Sequence, residues 1–106
     1  MYYMYNVNMN VSFFWDDSKD EENQKKHGVS FTEAVTIFRR LPLEIYYDPD
    51  HSSGEEDRYI AVGFSEQGRV LLVVHCENTK GNKIRIISAR KAMRREQSSV
   101  FGAKLK

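Results

Sequence analysis

The chain has 106 residues, 41% of them hydrophobic and 29% charged, with a formal net charge of +1, values typical of one soluble domain that buries its own core. Cys76 is the single cysteine, which excludes an intrachain disulfide and favours a reducing compartment. No apolar run approaches the roughly 20 residues that span a bilayer, and the first ten residues lack the regions of a signal peptide. We therefore expect a cytoplasmic protein with no membrane partner.

The charges are unevenly distributed along the chain. Residues 79–106 contain nine Lys and Arg against Glu96 alone, a net charge of +8, which leaves −7 for residues 1–78. Such asymmetry is typical of a basic surface that binds a polyanion. The alternative is that the two parts neutralise each other across the fold.

The first part of the chain predicts a leader, a short strand and a surface helix. Residues 1–10 show no hydrophobic period, and we expect them to form a disordered leader. Residues 11–15 are apolar and aromatic enough for a strand. Ser18–Glu21 has the S-x-x-E form of a capping box, and Gly28 is a typical helix end. The helix between them contains no apolar side chain, so it must lie on the surface.

A second helix is predicted directly afterwards. Ser30–Glu33 is another capping box, and Pro42 ends the segment. Four apolar residues follow the helical period, namely Phe31, Ala34, Val35 and Phe38. This stripe predicts a helix that faces the core. Residues 43–47 then predict a strand, and residues 48–57 a polar loop.

The second half of the chain predicts a sheet and a final helix. Three strands are predicted, at residues 58–65, 69–76 and 83–88. Val70–Val74 is continuously apolar, which indicates a central strand buried on both faces. The last helix is predicted from Ala89 to about Phe101. The order β-α-α-β-β-β-β-α predicts an α+β domain over residues 11–102, with helices packed on an antiparallel-rich sheet and a tail at 103–106.

The junction between the last strand and the last helix predicts an anion site. Ser88 is a suitable N-cap, and Arg90 and Lys91 follow it in the first helical turn. Cations there oppose the helix dipole, and a broken local rule often marks a functional site. Free N–H and guanidinium groups at one junction would bind a phosphate. Arg85 lies just before this junction, and we expect it to make a second phosphate contact. The alternative is that Arg85 is a solvated residue on an exposed face of the sheet.

Four motifs, in this order along the chain, resemble those of the BrnT toxin family. They are Phe14-Trp15-Asp16, the KKHGVSF segment at 25–31, the DPDHS segment at 48–52 and the IISARKA segment at 86–92. The resemblance implies a RelE-like fold and a ribonuclease toxin of a type II toxin–antitoxin pair. It also implies a small DNA-binding antitoxin, BrnA, as the protein partner. The toxin would contact operator DNA only through this antitoxin.

The chain departs from the family pattern in two places. Residues 39–42 stand where members often carry Asp-Pro after the second helix. The tyrosine that commonly follows the Arg-Arg-Glu of the last helix is missing, and Val100 and Phe101 stand nearby. The second departure weakens a direct transfer of the terminal helix's role.

RNA cleavage without a metal requires a base for the 2′-OH proton, a cation for the phosphorane and an acid for the leaving 5′-oxygen. The available candidates are His27, His51, His75, Lys26, Glu55, Arg58, Arg85 and Arg90. The resemblance favours His27, His51, Arg85 and Arg90 as catalytic residues, without deciding which is acid and which is base. For RNA phosphates we expect contacts from Lys26, Arg58, Lys91, Arg94 and Arg95.

Each candidate also has a structural interpretation. The role of His27 could be limited to a charge at the C-terminus of the first helix, where it interacts favourably with the helix dipole. His51 could be a turn residue. His75 ends the apolar central strand, and packing there is its favoured role. No metal-ligand spacing and no cofactor motif is present, so we expect neither. The alternative for the whole chain is a non-catalytic RNA- or partner-binding module with the same fold.

Overall fold

The structure, a computed structural model, describes residues 2–6, 11–51, 56–78 and 82–97, with the backbone alone for residues 2–6 and 51. The strands are β1 Tyr2–Asn6, β2 Ser12–Asp16, β3 Leu43–Asp48, β4 Glu56–Phe64, β5 Val70–Asn78 and β6 Lys83–Lys91. The helices are α1 Asp17–His27 and α2 Phe31–Val35, and 3₁₀ turns cover Thr36–Arg39 and Pro49–His51.

The strands that the structure describes form one sheet in the order β1-β2-β6-β5-β4-β3. Only β2 and β6 are parallel among these pairs, and the other neighbours are antiparallel. The predicted α+β class and antiparallel-rich sheet are therefore confirmed. The predicted order holds from β2 to β6, where β5 lies between β4 and β6 as a central strand. Its predicted burial on both faces is wrong for one of them, because Val70, Leu72 and Val74 are only half-buried.

The N-terminal segment differs from its prediction. Tyr2–Asn6 pairs with β2 in antiparallel register, Tyr2 opposite Asp16 and Asn6 opposite Ser12. The expectation of a disordered leader is therefore wrong for these five residues, because tyrosine favours strands and β2 offers an edge for pairing. Met1 and residues 7–10 lie outside the described residues, as do 98–106, so the domain limits 11–102 and the tail stay predictions.

The N-cap of α1 lies two residues before the predicted one, at Asp16 instead of Ser18. The Asp16 carboxylate accepts hydrogen bonds from the Ser18 backbone N–H at 2.9 Å and the Ser18 hydroxyl at 2.6 Å. These bonds from Ser18 lower the pKa of Asp16. Asp and Ser are about equally good N-caps, and here the earlier residue takes that position. Gly28 ends the helix as predicted, with φ at 69° and its N–H donated to Gln24 O at 2.9 Å.

Helix α2 carries one wall of the core. Its predicted cap is confirmed, since the Glu33 N–H donates to Ser30 Oγ at 3.0 Å. The α-helix ends at Val35, earlier than the apolar period suggested, and continues as a 3₁₀ turn. The core between these turns and one face of the sheet, here called the core face, contains Phe13, Trp15, Val29, Phe31, Ala34, Val35, Ile37, Ala61, Leu71, Val73, Ile84, Ile86 and Ala89.

Strand β6 continues through the predicted strand–helix junction. Arg90 pairs with Leu72 and Lys91 with Leu71, so the chain is extended where a helix was predicted. Within the described residues only 94–97 are helical in this part of the chain. The helix predicted from Ala89 is therefore wrong for residues 89–93, and Ser88 caps nothing. Pairing with the apolar β5 overrides the local capping signal, and the anion site at a helix N-terminus does not form at Ser88.

A bulge decides which side chains of β6 face the core. On β5, Val74 and His75 are adjacent, but their partners on β6, Ser88 and Ile86, are two positions apart. Ile87 is therefore the additional, unpaired residue of a β-bulge in β6. Ile86 and Ala89 are therefore both buried in the core, although three positions separate them. Arg85 and Arg90 project from the opposite face of the sheet, here called the open face.

The open face has a small apolar cluster of its own. Val62 and Ala92 are buried there, and Phe64, Val70 and Leu72 pack against them. The Ala92 N–H donates to Val70 O at 2.9 Å, which keeps the chain against β5 after β6 ends. The segment that follows Arg90 is thereby held over the open face.

Candidate RNA-cleaving site

A basic cleft lies between the end of α1 and the end of β6. It is open to solvent and is lined by Lys26, His27, Arg90, Lys91 and Met93. A second depression shares Lys26 and His27 and continues along α1 to Ile87 and Ser88. The first of these depressions is here called the α1–β6 cleft. It brings together four predicted site residues, Lys26, His27, Arg90 and Lys91, of which His27 and Arg90 were predicted to be catalytic.

Asn23 fixes α1 to β6 at this cleft. Its Nδ2 donates to Ala89 O and to Val29 O, both at 2.8 Å, and its Oδ1 accepts from the Ala89 N–H at 3.1 Å. Asn23 is the buried residue of a helix whose other side chains are largely exposed. The pairing of β2 with β6 ends at Arg85. Further along β6, the side-chain amide of Asn23 takes the place of a partner strand, because it forms hydrogen bonds with both the N–H and the C=O of Ala89.

The position of Asn23 along the helix matters for the cleft. Residues three and four positions apart lie on the same side of a helix, so Lys26 and His27 follow Asn23 on one face. Anchoring Asn23 at Ala89 therefore places both side chains in the cleft with Arg90. Sequence reasoning missed this residue, although an Asn inside a helix without apolar side chains is a usable signal, because Asn is a poor helix former.

A partly buried ion pair also holds the end of α1. Arg69 Nη2 donates to Gly28 O at 3.0 Å and to Glu33 Oε1, while Arg69 Nε donates to Glu33 Oε2 at 2.9 Å. The Ser65 hydroxyl donates to the same carboxylate at 2.7 Å. Hydrogen bonding by Arg69 lowers the pKa of Glu33, so the pair is ionised at neutral pH. Sequence spacing gave no signal for this pair, whose members lie far apart in the chain.

Arg90 is bound by a carboxylate of its own chain. Its Nη1 donates to Glu96 Oε1 at 2.9 Å and its Nη2 to Glu96 Oε2 at 2.8 Å. The Met93 N–H donates to Glu96 Oε1 at 2.7 Å, where the helical turn of residues 94–97 begins. Hydrogen bonding by Arg90 lowers the pKa of Glu96, and the same contact raises the pKa of Arg90. Glu96 was not among the predicted site residues.

Arg85 lies in a separate group on the open face. Its Nη2 donates to Glu56 Oε1 at 2.7 Å, and its Nε approaches Glu56 Oε2 at 3.4 Å. Arg58 and Arg85 both stand opposite Cys76, one on each side of β5. Burial raises the pKa of the Cys76 thiol, which Glu56 also raises. Arg85 and Arg90 are five steps of about 3.3 Å apart along β6, and the bulge at Ile87 shortens the strand there, so their Cα atoms are roughly 15 Å apart.

The structure therefore divides the predicted site into two groups. His27, Lys26, Arg90 and Lys91 meet in the α1–β6 cleft, whereas Arg85 and Arg58 lie toward the other end of the open face. His51 ends the 3₁₀ turn between β3 and β4, and its side chain lies outside the described residues. The expectation that Arg85 and Arg90 flank one junction is thus corrected, because no strand–helix turn brings them together.

The remaining candidates lie elsewhere. Arg94 and Arg95 are exposed on the helical turn after the cleft. His75 is buried, with its ring stacked on Tyr59 at 5.6 Å and edge-on to Phe38 at 5.1 Å, so the favoured packing role is confirmed. In the described parts of the chain, no three His, Cys, Asp or Glu side chains are grouped so that they could hold a metal ion.

The fold and the cleft define a small α+β protein that presents a histidine beside several cations, an arrangement suited to a phosphodiester. The chain matches, over residues 15–96, the family described as the ribonuclease toxin, BrnT, of type II toxin–antitoxin systems. This match covers most of the sequence, and the chain belongs to the BrnT family of ribonuclease toxins. The family implies an RNA substrate and an antitoxin protein partner.

Two further findings accompany the family match. No curated protein matches the chain. Among the described residues, no helix is both long and apolar enough to cross a membrane.

Proposed function

We propose that this protein is a metal-independent endoribonuclease toxin that stops translation by cutting RNA in the α1–β6 cleft, with a RelE-like fold and a cytoplasmic site of action. The observation that carries the proposal is the meeting of His27 and Lys26 with Arg90 and Lys91 in one open cleft. A histidine supplies the proton transfer and the cations stabilise the phosphorane. The reaction needs no cofactor.

The 2′-OH of the substrate is the nucleophile. Its oxygen attacks the adjacent phosphorus, the bond to the 5′-oxygen breaks, and the products are a 2′,3′-cyclic phosphate and a 5′-OH. Arg90 binds the phosphate with its planar guanidinium, and the His27 imidazolium protonates the leaving oxygen. The requirement for a 2′-OH restricts cleavage to RNA.

The other basic residues bind the RNA chain away from the cut. Arg85 lies about 15 Å from Arg90 along β6, and Arg58 lies on the far side of β5 from Arg85, so these arginines suit phosphates a few nucleotides away from the cut. Arg94 and Arg95 extend the basic surface beyond Met93. His51 belongs to the Arg85 end of the sheet, where we assign it to RNA binding.

The partner that we propose is a BrnA-like antitoxin, which covers the cleft and the open face. Its surface must be acidic opposite Arg85 and Arg90, and apolar opposite the exposed Met93, which is 45% accessible. The complex binds operator DNA through the antitoxin alone.

Expression in bacteria tests the toxin function. Wild type should arrest growth and fragment total RNA, whereas the Arg85→Ala/Arg90→Ala double variant should do neither while keeping its thermal midpoint. Arg39→Ala is the matched control, because Arg39 pairs with Glu66 at 2.8 Å outside the cleft. This control should remain toxic.

Single histidine variants separate the toxin from a binding module. A module that only binds RNA or a partner would tolerate His27→Ala, whereas the nuclease should lose about 10²–10⁴-fold in cleavage rate. Growth arrest by the double variant would contradict the assigned site. Normal growth with folded, abundant wild type would instead support the non-catalytic module.

A further inference from the structure

We propose that Glu96 is a catalytic residue of this site, the general base that takes the proton from the 2′-OH. The inference rests on the proposed ribonuclease function and assigns a step that the histidines left open. It makes His27, Arg90 and Glu96 a set of acid, phosphate-binding cation and base.

The geometry places this carboxylate beside the phosphate position. Both Glu96 oxygens contact the Arg90 guanidinium, at 2.9 and 2.8 Å, which is the arrangement that a phosphate would adopt on the same group. A phosphate that binds this edge of the Arg90 guanidinium takes over at least one of these contacts. The Met93 N–H bond to Oε1, at 2.7 Å, holds the carboxylate in place when that exchange occurs.

The exchange also changes the basicity of Glu96. Hydrogen bonding by Arg90 is the largest cause that lowers its pKa, and the Met93 N–H acts in the same direction. When the phosphate takes the guanidinium, the first cause weakens and the pKa of Glu96 rises toward its ordinary range. A carboxylate with a higher pKa is a stronger base, so substrate binding itself activates the residue.

The proton balance of the reaction is then closed within the cleft. Glu96 accepts the 2′-OH proton as the 2′-oxygen forms its bond to phosphorus. The 5′-oxygen departs with the electron pair of the broken bond and receives a proton from the His27 imidazolium. Later proton exchange with water restores Glu96 to carboxylate and His27 to imidazolium.

Glu56 offers a matched comparison for Glu96. It pairs with Arg85 through the same two groups, at 2.7 and 3.4 Å, but on the open face outside the α1–β6 cleft. A phosphate would compete with both carboxylates for their arginines, and of the two only Glu96 contacts Arg90 and Met93, which line the cleft with His27. Replacing Glu96 and Glu56 in turn distinguishes a general base from a carboxylate that only forms an ion pair with an arginine.

The experiment compares Glu96→Gln and Glu56→Gln with wild type on a synthetic single-stranded RNA of mixed sequence, under single-turnover conditions across pH. Binding is measured with the 2′-O-methyl form of the same oligonucleotide, which lacks the attacking hydroxyl. Glu66→Gln, whose partner Arg39 lies outside the cleft, is the control for unchanged activity. Glu96→Asp keeps the carboxylate if the Gln variant folds poorly.

We expect Glu96→Gln to lower the cleavage rate by about 10²–10⁴-fold, with unchanged or tighter binding of the 2′-O-methyl oligonucleotide. The acidic limb of its pH–rate profile should disappear, whereas Glu96→Asp should retain that limb and cleave at an intermediate rate. Glu56→Gln should change the rate by less than about tenfold, since it alters binding alone.

Three results would overturn the assignment. Faster cleavage by Glu96→Gln would show that the carboxylate only blocks Arg90. Weaker binding with the acidic limb preserved would show that Glu96 only orients Arg90. Equal losses in Glu96→Asp and Glu96→Gln, with the limb intact in both, would also exclude a base. If wild type itself leaves the RNA uncut, the proposed function fails instead.

Discussion

The two ends of β6 present the same pair of groups in different surroundings. At one end Arg85 is bound by Glu56, which comes from β4 across the central strand. At the other end Arg90 is bound by Glu96, six residues later in the chain. Each arginine is half-exposed on the open face and forms an ion pair with a carboxylate. Only the Arg90 pair borders a cleft that contains a described histidine.

This difference separates recognition from chemistry. An arginine that contacts a phosphate binds any nucleic acid, and surface pairs of this kind contribute little to stability. Cleavage in addition requires proton donors and acceptors within reach of the same phosphate. The end of α1 supplies His27 beside Arg90, and we therefore propose that the chemistry occurs at that end, whereas the Arg85 end extends the surface that holds the RNA chain.

Single arginine variants test this division with the largest expected effect. Arg90→Ala should lower the cleavage rate by about 10²–10³-fold, as expected for the loss of one group that stabilises the phosphorane. Arg85→Ala should instead weaken RNA binding several-fold and reduce its salt dependence, because one phosphate contact is lost. Single-turnover rates and binding at several salt concentrations measure the two effects.

The opposite pattern would move the chemistry to the other end of the strand. If Arg85→Ala abolished the chemical step while Arg90→Ala changed binding alone, Arg85, Arg58 and His51 would form the active site. Equal chemical losses in both variants would require one phosphate to reach both arginines, which their spacing along β6 does not allow.

Much of the fold was predictable because its signals are local or periodic. The apolar run of β5, the Ser30 cap and the Gly28 helix end all appear in the structure where the sequence placed them. The cap of α1 moved from Ser18 to Asp16, two residues that satisfy an N-terminus about equally well. Such choices lie within the ordinary error of helix boundaries.

The end of β6 was not predictable in the same way. Ser88 and the basic residues after it are compatible with a helix, and what extends the strand is pairing with β5 and the side-chain amide of Asn23, 66 positions before Ala89. Both are contacts between distant parts of the sequence. The family resemblance suggested both His27 and Arg90, and the structure places them in one cleft; their catalytic roles stay a prediction.

The anchor at Asn23 provides a second test, which acts on the Arg90 end alone. Asn23→Ala removes the partners of both buried backbone groups of Ala89 and should lower the free energy of unfolding by about 2–3 kcal/mol. Because α1 then loses its position against β6, the cleavage rate should fall as well, while RNA binding at Arg85 persists. Urea unfolding and single-turnover cleavage measure the two effects.

Gln24→Ala is the matched control for this anchor, since Gln24 is exposed one position further along the helix. It should change stability by less than about 0.5 kcal/mol. If Asn23→Ala lost stability but cleaved RNA at the wild-type rate when folded, Asn23 would stabilise the fold without positioning His27.

The smallest expected effect concerns acid stability at the same end of the molecule. Arg69 holds the pKa of Glu33 below its usual value of 4.5, so the unfolded chain takes up this proton more readily than the folded one. The stabilisation is therefore complete above about pH 4.5 and is lost as the pH falls toward the lower folded-state pKa. Glu33→Gln should lower the free energy of unfolding near pH 7 by about 1–2 kcal/mol. The loss is moderate because the Arg69 side chain is 30% exposed, so water can hydrate its guanidinium when the carboxylate is gone.

Urea unfolding of wild type and Glu33→Gln between pH 7 and pH 3 measures this contribution directly. Asp16 and Glu96 also have lowered pKa values, but they are present in both proteins, so the difference between the two curves isolates Glu33. The curves should converge as the pH falls, because protonated Glu33 resembles the Gln that replaces it. A constant separation would mean that Glu33 does not titrate with folding. Since Arg69 also donates to Gly28 O at the end of α1, convergence would show that protonation of Glu33 removes a stabilising pair at this end of the molecule.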